Sequence, residues 1–116
     1  AADFNQGKGI DIWNIANVVT LVNSQVINNL NEGLFSTSKG NTTIRNLLVF
    51  LNGAGANEPG MDIASLNGKI YLYSSSFIGN YGIGFEAYVN NTSLDFFMSL
   101  VNYMGNYGGT YAVIPN

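Results

Sequence analysis

The chain has 116 residues, a common size for one domain, and we expect residues 1–116 to fold as a single domain. It contains no cysteine and no histidine. These two absences exclude disulfides, thiolate nucleophiles, zinc fingers, imidazole metal ligands and a Ser-His-Asp triad. Four Lys or Arg against seven Asp or Glu give a net charge of −3, and the scattered cations predict no nucleic-acid binding.

The low charge is the most unusual property of the composition. Charged residues make up 9% of the chain, against about 25% in typical soluble domains. The missing polarity comes from 18 Asn, accompanied by 14 Gly and many Ser and Thr. A surface of amides and aromatic rings repels its own copies weakly, which favours association. Two interpretations stay open: a self-associating surface, or a secreted monomer with a biased composition.

The sequence also bears on location. No run of 18 apolar residues occurs, so no membrane span is predicted. The chain starts Ala1-Ala2-Asp3, small residues typical of an N-terminus created by signal-peptide cleavage, and we expect an extracellular or cell-surface protein. N-glycosylation sequons begin at Asn41, Asn90 and Asn91, but an Asn-rich chain produces sequons by chance, so their use stays open.

Apolar residues at spacings of three and four predict a first helix, capped by Asp11 and ended by Gly33. The β-branched Val18, Val19 and Val22 make a strand the competing interpretation. The predicted buried face of this helix consists of Ile12, Ile15, Val19, Val22, Val26 and Leu30.

Two further helices are predicted by the same spacing. The second begins at Thr42 or Thr43 and stops at Gly53. The third is capped by Asn91, Thr92 or Ser93 and ends at Gly105. Their inward positions are Ile44, Leu47, Leu48 and Leu51 in the second helix, and Leu94, Phe97, Met98, Val101 and Met104 in the third.

Alternating residues predict strands over 69–77 and 83–89, joined as a hairpin by the glycine-containing segment between them. A last strand is predicted from Tyr111 to Ile114, and no internal repeat is evident. The predicted fold class is therefore α+β: a small antiparallel sheet, made of the hairpin and the C-terminal strand, with three helices mostly on one face.

Carboxylates are the remaining acid–base groups, and Glu86 with Asp62 or Asp95 would form the pair that a glycosidase needs. The spacing places neither partner near Glu86, so a solvent-facing Glu86 is the simpler interpretation. A serine nucleophile at residues 74–76 activated by Lys69, a phosphate loop at residues 53–55 and a calcium loop at residues 57–62 each lack the necessary signature. We therefore predict no enzyme activity, no metal and no cofactor.

The tyrosines are the candidate contact residues, because their rigid amphipathic rings suit recognition surfaces. Strands also favour tyrosine for packing alone, and that interpretation stays open. The residues predicted to contact a partner are Tyr71, Tyr73, Tyr81, Tyr88, Tyr107 and Tyr111.

These features leave three functional hypotheses. The first is a non-enzymatic structural protein that assembles with copies of itself into a filament, sheath or coat, through the strand edges at residues 71–77 and 110–114. The second is a module that binds a glycan or another cell-surface ligand through Tyr and Asn. The third and weakest is a hydrolase that relies on carboxylates alone.

Overall fold

The computed structural model describes residues 1–14 and 17–116, and this part of the chain is all β. It contains twelve strands and no helix. The strands are β1 (Ala2–Asp3), β2 (Ile10–Asn14), β3 (Val19–Ile27), β4 (Leu34–Ser38), β5 (Thr42–Phe50), β6 (Met61–Ser65), β7 (Ile70–Tyr73), β8 (Ser76–Ile78), β9 (Phe85–Val89), β10 (Phe96–Ser99), β11 (Asn102–Met104) and β12 (Tyr111–Pro115).

The strands wind into a β-solenoid of two parallel sheets. The seven-stranded sheet has the order β1-β3-β5-β7-β10, with β8 paired to β5 and β11, and the five-stranded sheet has the order β12-β9-β6-β4-β2. The chain passes from one sheet to the other and back, so each coil stacks on the preceding one. Five coils result: β1–β2, β3–β4, β5–β6, β7–β9 and β10–β12.

In-register residues from successive coils form columns that run along the solenoid. One inward column contains Val26, Val49 and Phe77, all fully buried, and a second contains Leu34, Met61 and Phe85. Partners in adjacent coils are 23 to 28 residues apart along the chain. The core is therefore a stack of apolar side chains enclosed between the two sheets.

Each coil bends at residues in the left-handed backbone region, and these residues also form columns. The kink column lies within the seven-stranded sheet and the corner column at its end. Asparagine accepts a positive φ better than other non-glycine residues, which explains its frequency there. The kink column is Asn23, Asn46, Ser74 and Leu100, and the corner column is Phe4, Asn28, Leu51, Gly79 and Gly105.

An asparagine ladder, defined as Asn5, Asn29, Asn52, Asn80 and Asn106, follows the corner column. The Oδ1 of Asn52 accepts hydrogen bonds from the backbone N–H of Asn29 at 3.1 Å and from its Nδ2 at 2.8 Å. The Nδ2 of Asn52 donates to Oδ1 of Asn80 and to the backbone carbonyl of Val26. The ladder satisfies backbone groups at a bend where no strand partner is available.

A glycine column, Gly9, Gly33, Gly60 and Gly84, immediately precedes the first four strands of the five-stranded sheet, β2, β4, β6 and β9. Thr110 holds the equivalent position before β12. A Cβ at Gly60 would lie 2.7 Å from the amide of Asn80 and 2.7 Å from the carbonyl oxygen of Gly84. The ladder and the next coil therefore approach this backbone too closely for any side chain.

The predicted α+β fold is wrong. None of the three helices forms in the described residues, and the predicted Ile15 lies outside them. In β5, Ile44 and Leu47 both point inward because Asn46, with φ 54°, breaks the alternation and shifts it by one residue. The resulting spacing of three imitates a helix. Asn91 does cap a turn, accepting from the N–H groups of Ser93 and Leu94, but the chain continues for only a single turn.

The predicted antiparallel sheet is also wrong, although strands do form over the regions where alternation predicted them. The first of those regions is divided into β7 and β8 by the kink at Ser74. The expected hairpin is a corner, because β8 and β9 belong to different sheets and every strand pairing is parallel. The chain also has a repeat, namely the coil, although none was predicted from the sequence.

Candidate functional site

The outer faces of the first and last coils differ from the rest of the solenoid in their exposure. In the last coil, Phe96, Met98, Val101, Tyr111 and Val113 point toward the core but are only partly buried. Leu100 and Met104 are 80% and 68% exposed. Within the described residues nothing stacks on this coil, so its apolar side chains and its strand edges face solvent.

The first coil presents the opposite face of the same columns. Ala2, Ile10 and Ile12 pack partly against the core and are partly open on the other side. Strands β1 and β2 each pair on one side. The two end faces therefore expose complementary parts of one repeating architecture.

The asparagine ladder ends differently on these two faces. At the last coil, Asn106 accepts from Asn80 and donates through Nδ2 to the carbonyl of Phe77, which leaves its backbone N–H and one Nδ2 hydrogen without the ladder partner found in inner coils. At the first coil, Asn5 donates to Asn29, and its Oδ1 has no hydrogen-bond donor among the described residues. One face thus offers donors and the other an acceptor.

The six predicted tyrosines do not form one surface. Tyr71 stacks on Phe97 at 5.2 Å, and Tyr73 lies under the guanidinium of Arg45. Both belong to β7, which is paired on both sides, so the edge predicted at residues 71–77 is not free. Tyr111 stacks on Phe85 at 5.0 Å in the core of the last coil, and its strand β12 is a sheet edge, as the prediction for residues 110–114 requires.

Among the predicted tyrosines, Tyr71 and Tyr73 lie close together within β7, whereas Tyr81 and Tyr107 meet from adjacent coils. The ring centroids of Tyr81 and Tyr107 lie 5.7 Å apart at an interplanar angle of 40°. They border an open cleft of about 500 Å³ beside the corner of the solenoid. The other residues that line this cleft are Asn57, Pro59, Gly82, Ile83, Glu86 and Gly108.

The five-stranded sheet carries a carboxylate pair on its outer face, next to the cleft. Asp62 and Glu86 are register partners on adjacent strands, a proximity that their separation along the chain does not reveal. Burial, followed by the charge of Glu86, raises the pKa of Asp62 to about 6. Tyr88 donates a 2.8 Å hydrogen bond to Glu86, and this bond is the main reason why the pKa of Tyr88 rises to about 12.

The other groups considered from the sequence serve the fold. Ser75 Oγ donates to the carbonyl of Tyr73 and accepts from the N–H of Leu47. The N–H groups of Gly53 and Gly55 donate to backbone carbonyls of the preceding coil, so they do not form an anion cradle. Asp95 accepts from the backbone N–H of Asn91 within its own turn.

Metal-ligating clusters and membrane-spanning helices are absent from the described residues. No group of three or more carboxylate, histidine or cysteine side chains gathers there to hold a metal ion. No helix long and apolar enough to cross a membrane occurs there either. Comparisons with known protein families, with curated proteins and with solved structures give no match.

Neither the ladder nor the exposure of Leu100 and Met104 in the last coil was predicted from the sequence. The sequence does contain a pattern that indicates the ladder: a glycine follows each of Asn5, Asn29 and Asn80 four positions later. The Asn52 copy of this pattern is interrupted by an insertion before Gly60, which hides the repeat.

Proposed function

We propose that this protein is a non-enzymatic structural β-solenoid that assembles with copies of itself, the last coil of one copy stacking on the first coil of the next, into a filament. The observation that carries the proposal is the asparagine ladder, whose free donors at Asn106 match the free acceptor at Asn5. Stacked in register, Asn106 of one copy would donate to Oδ1 of Asn5 of the next, as Asn80 donates to Asn106.

Apolar burial supports the same arrangement. Completing the burial of a half-covered apolar side chain is worth about 1 kcal/mol, and five inward side chains of the last coil are in this state. Against them stands an association cost of roughly 4–15 kcal/mol. The two are of the same order, so we expect assembly that depends on protein concentration.

Charge supports it as well. Soluble proteins commonly protect an exposed strand edge with lysine or other charged residues. Residues 96–116, which include all three strands of the last coil, contain no charged side chain. No electrostatic repulsion therefore opposes the approach of a second copy to this edge. The proposal retains an extracellular or cell-surface location.

A disulfide trap tests the stacking directly, because the chain has no cysteine of its own. Met104 ends the column Asp3, Ile27, Phe50, Ile78 and Met104, so stacking places Met104 of one copy beside Asp3 of the next. Paired residues on adjacent strands have Cα atoms about 5 Å apart, within the roughly 4.4–6.8 Å range for a disulfide. Within one copy these positions lie in the first and fifth coils, four strand spacings or about 19 Å apart, so they cannot form a disulfide.

The test variant carries Asp3→Cys and Met104→Cys. Asp3 is a suitable position because one of its carboxylate oxygens is buried without a hydrogen-bond partner in the described part of the chain. Under mild oxidation we expect a ladder of covalent dimers, trimers and longer species on a denaturing gel. The matched control combines Asp3→Cys with Ser99→Cys, an exposed position of the same coil in a different column. Equal cross-linking of both variants, or of neither, would refute in-register stacking.

A further inference from the structure

The cleft beside the corner is built by an irregularity in the solenoid. Three residues lie between Asn29 and Gly33 and between Asn80 and Gly84, whereas seven lie between Asn52 and Gly60. The four additional residues enlarge this segment into the insertion loop, residues 53–59, which supplies Asn57 and Pro59 to one wall of the cleft. The cleft is therefore not a by-product of regular coiling.

Backbone hydrogen bonds hold this wall in position. Within the loop, the N–H of Glu58 donates to the carbonyl of Gly53 at 3.1 Å. Across to the fourth coil, the N–H of Gly82 donates to the carbonyl of Glu58 at 3.1 Å. A Cβ at Gly82 would lie 2.3 Å from the carbonyl oxygen of Asn57, so this close approach requires glycine. The wall is thus held by hydrogen bonds of the chain's own backbone.

The opposite wall is a pair of stacked coils that present aromatic rings outward. Tyr81 and Tyr107 are 38% and 78% exposed, in contrast to the half-buried Tyr111. Neither phenol hydroxyl has a hydrogen-bond partner among the described residues. The rings offer an apolar platform with polar tips, the combination that suits a ligand with an apolar face and hydroxyl groups at its rim.

Charge selects among such ligands. Glu86 lines the cleft, while Glu58 precedes Pro59 in its wall. Asp62 neighbours Glu86 in the sheet. These carboxylates repel anions and accept hydrogen bonds from neutral hydroxyl groups. A sulfated or uronic-acid glycan is therefore disfavoured relative to a neutral one.

We propose that this cleft binds a neutral oligosaccharide, with one sugar ring packed on Tyr107 and Tyr81 and a sugar hydroxyl donating to the carboxylate of Glu86. The site does not depend on the proposed assembly. Its residues lie on the side of the solenoid beyond the ladder corner, and every one of them belongs to the same copy.

A second depression, about 430 Å³ in volume, provides a comparison within the molecule. It runs along the kink column and is lined largely by amide and hydroxyl groups, including Asn23, Asn46 and Ser74. It contains no aromatic ring. This depression therefore lacks a ring on which a sugar could pack, and we assign the oligosaccharide to the cleft beside Tyr81 and Tyr107.

Titration calorimetry against neutral hexose and N-acetylhexosamine oligosaccharides tests the proposal. We expect at least one of them to bind, Tyr107→Ala to weaken that binding by about tenfold or more, and Tyr107→Phe to retain it, because the stacking ring remains. Glu86→Gln should also weaken binding. Tyr107 is mostly exposed, so its removal leaves the fold intact, which thermal unfolding of each variant verifies.

The matched control is Tyr71→Ala, which removes a half-buried tyrosine on the other sheet, outside the cleft. It should bind as the unaltered protein does. Failure of every neutral oligosaccharide to bind, preferential binding of an acidic one such as heparin, or equal losses in Tyr107→Ala and Tyr71→Ala would each overturn the proposal. None of these outcomes bears on disulfide trapping, so the two proposals fail independently.

Discussion

The fourth and fifth coils contain the same columns but differ in how well they are enclosed. Phe77 and Tyr103 are successive members of one inward column, and they are 0% and 38% exposed. Phe85 and Tyr111 differ in the same way. A solenoid coil cannot bury its own side chains, so its core is completed by a neighbour on each side. The last coil shows what a coil lacks when one neighbour is absent.

The ladder gives a polar version of the same contrast. Asn52, in the third coil, is fully buried and has partners in both adjacent coils, whereas Asn5 is exposed and bonded on one side. Inner coils are thus saturated in both apolar and polar contacts, and the end coils are not. Substitutions at equivalent positions of inner and end coils measure this difference.

The largest effect is expected at the ladder. Asn52→Ala would remove the partner of three buried groups: the backbone N–H of Asn29, one Nδ2 hydrogen of Asn29 and the carbonyl of Val26. Oδ1 of Asn80 would keep its hydrogen bond from the backbone N–H of residue 52. At about 1–2 kcal/mol for each buried group, the free energy of unfolding should fall by roughly 3–6 kcal/mol. Asn5→Ala, which removes the exposed end of the ladder, should cost less than about 1 kcal/mol. Urea denaturation measures both, and similar losses would contradict the contrast.

The apolar column should show a slightly smaller difference. Phe77→Ala removes a fully buried ring whose centroid lies 4.8 Å from that of the Phe85 ring. We expect the free energy of unfolding to fall by about 3–5 kcal/mol. Tyr103→Ala, one coil further along the same column, should cost about 1 kcal/mol in the dilute, unassembled protein. Chemical denaturation of the two variants compares an enclosed ring with a half-enclosed one. A Tyr103→Ala loss as large as that of Phe77→Ala would show that the last coil is already closed.

A third comparison concerns the effect of pH on two aspartates in one column on the outer face of the five-stranded sheet. This column consists of Asp11, Phe35, Asp62 and Glu86. The pKa of Asp62 is raised from 3.8 to about 6, so between these values the folded protein holds a proton that the unfolded chain has lost. This contribution to stability is present below about pH 4 and is lost as the pH rises through 6. Because Asp62 is half exposed, we expect a loss of only about 1 kcal/mol.

Asp62→Asn should abolish that part of the pH dependence, measured as the free energy of unfolding at several pH values between 4 and 7. Asp11→Asn is the control, since Asp11 is exposed and its register partner is Phe35 and not a carboxylate. If Asp62→Asn and the unaltered protein lose the same free energy of unfolding between pH 4 and 7, a raised pKa of Asp62 beside Glu86 does not contribute to the pH dependence.

The smallest effect concerns the kink column. Leu100 has φ 56° and is 80% exposed, whereas the inner kinks at Asn23 and Asn46 use a residue that accepts this conformation. Leu100→Asn should therefore raise the free energy of unfolding by about 0.5–1 kcal/mol. Leu94→Asn removes a similarly exposed leucine without a positive φ and should give no gain. Equal effects in thermal unfolding would show that polarity, and not backbone strain, decides the outcome.

Local alternation was enough to predict strands at β7, β9 and β12, but not the architecture. At β3 and β5 the positive-φ residues Asn23 and Asn46 shift the alternation, and the shifted pattern resembles helical spacing. Capping residues did not resolve the ambiguity, because Asp, Thr, Asn and Gly also build corners. The parallel pairing depends on coil lengths that vary from 23 to 28 residues, so it has no fixed period to find.

For the candidate sites, as for the fold, the sequence indicated individual residues but not which of them meet in space. Tyrosine chemistry made Tyr81 and Tyr107 candidates, but only the folded chain shows that their rings meet. The same is true of Glu86 and Asp62, whose pairing across coils cannot be read from their spacing along the chain. The ladder ends at Asn5 and Asn106 were missed because the residues around a single asparagine, among eighteen in the chain, do not show that it stacks on another.

The most direct test of the central claim, that an open last coil is completed by another copy, is small-angle scattering of the unaltered protein over a range of concentrations. One copy measures 31 × 24 × 23 Å, and five stacked coils rise about 24 Å along the axis. We predict particles that lengthen by about 24 Å for each added copy while their cross-section stays constant. Particles that remain the size of one copy at every concentration, or that grow equally in all directions, would contradict the claim.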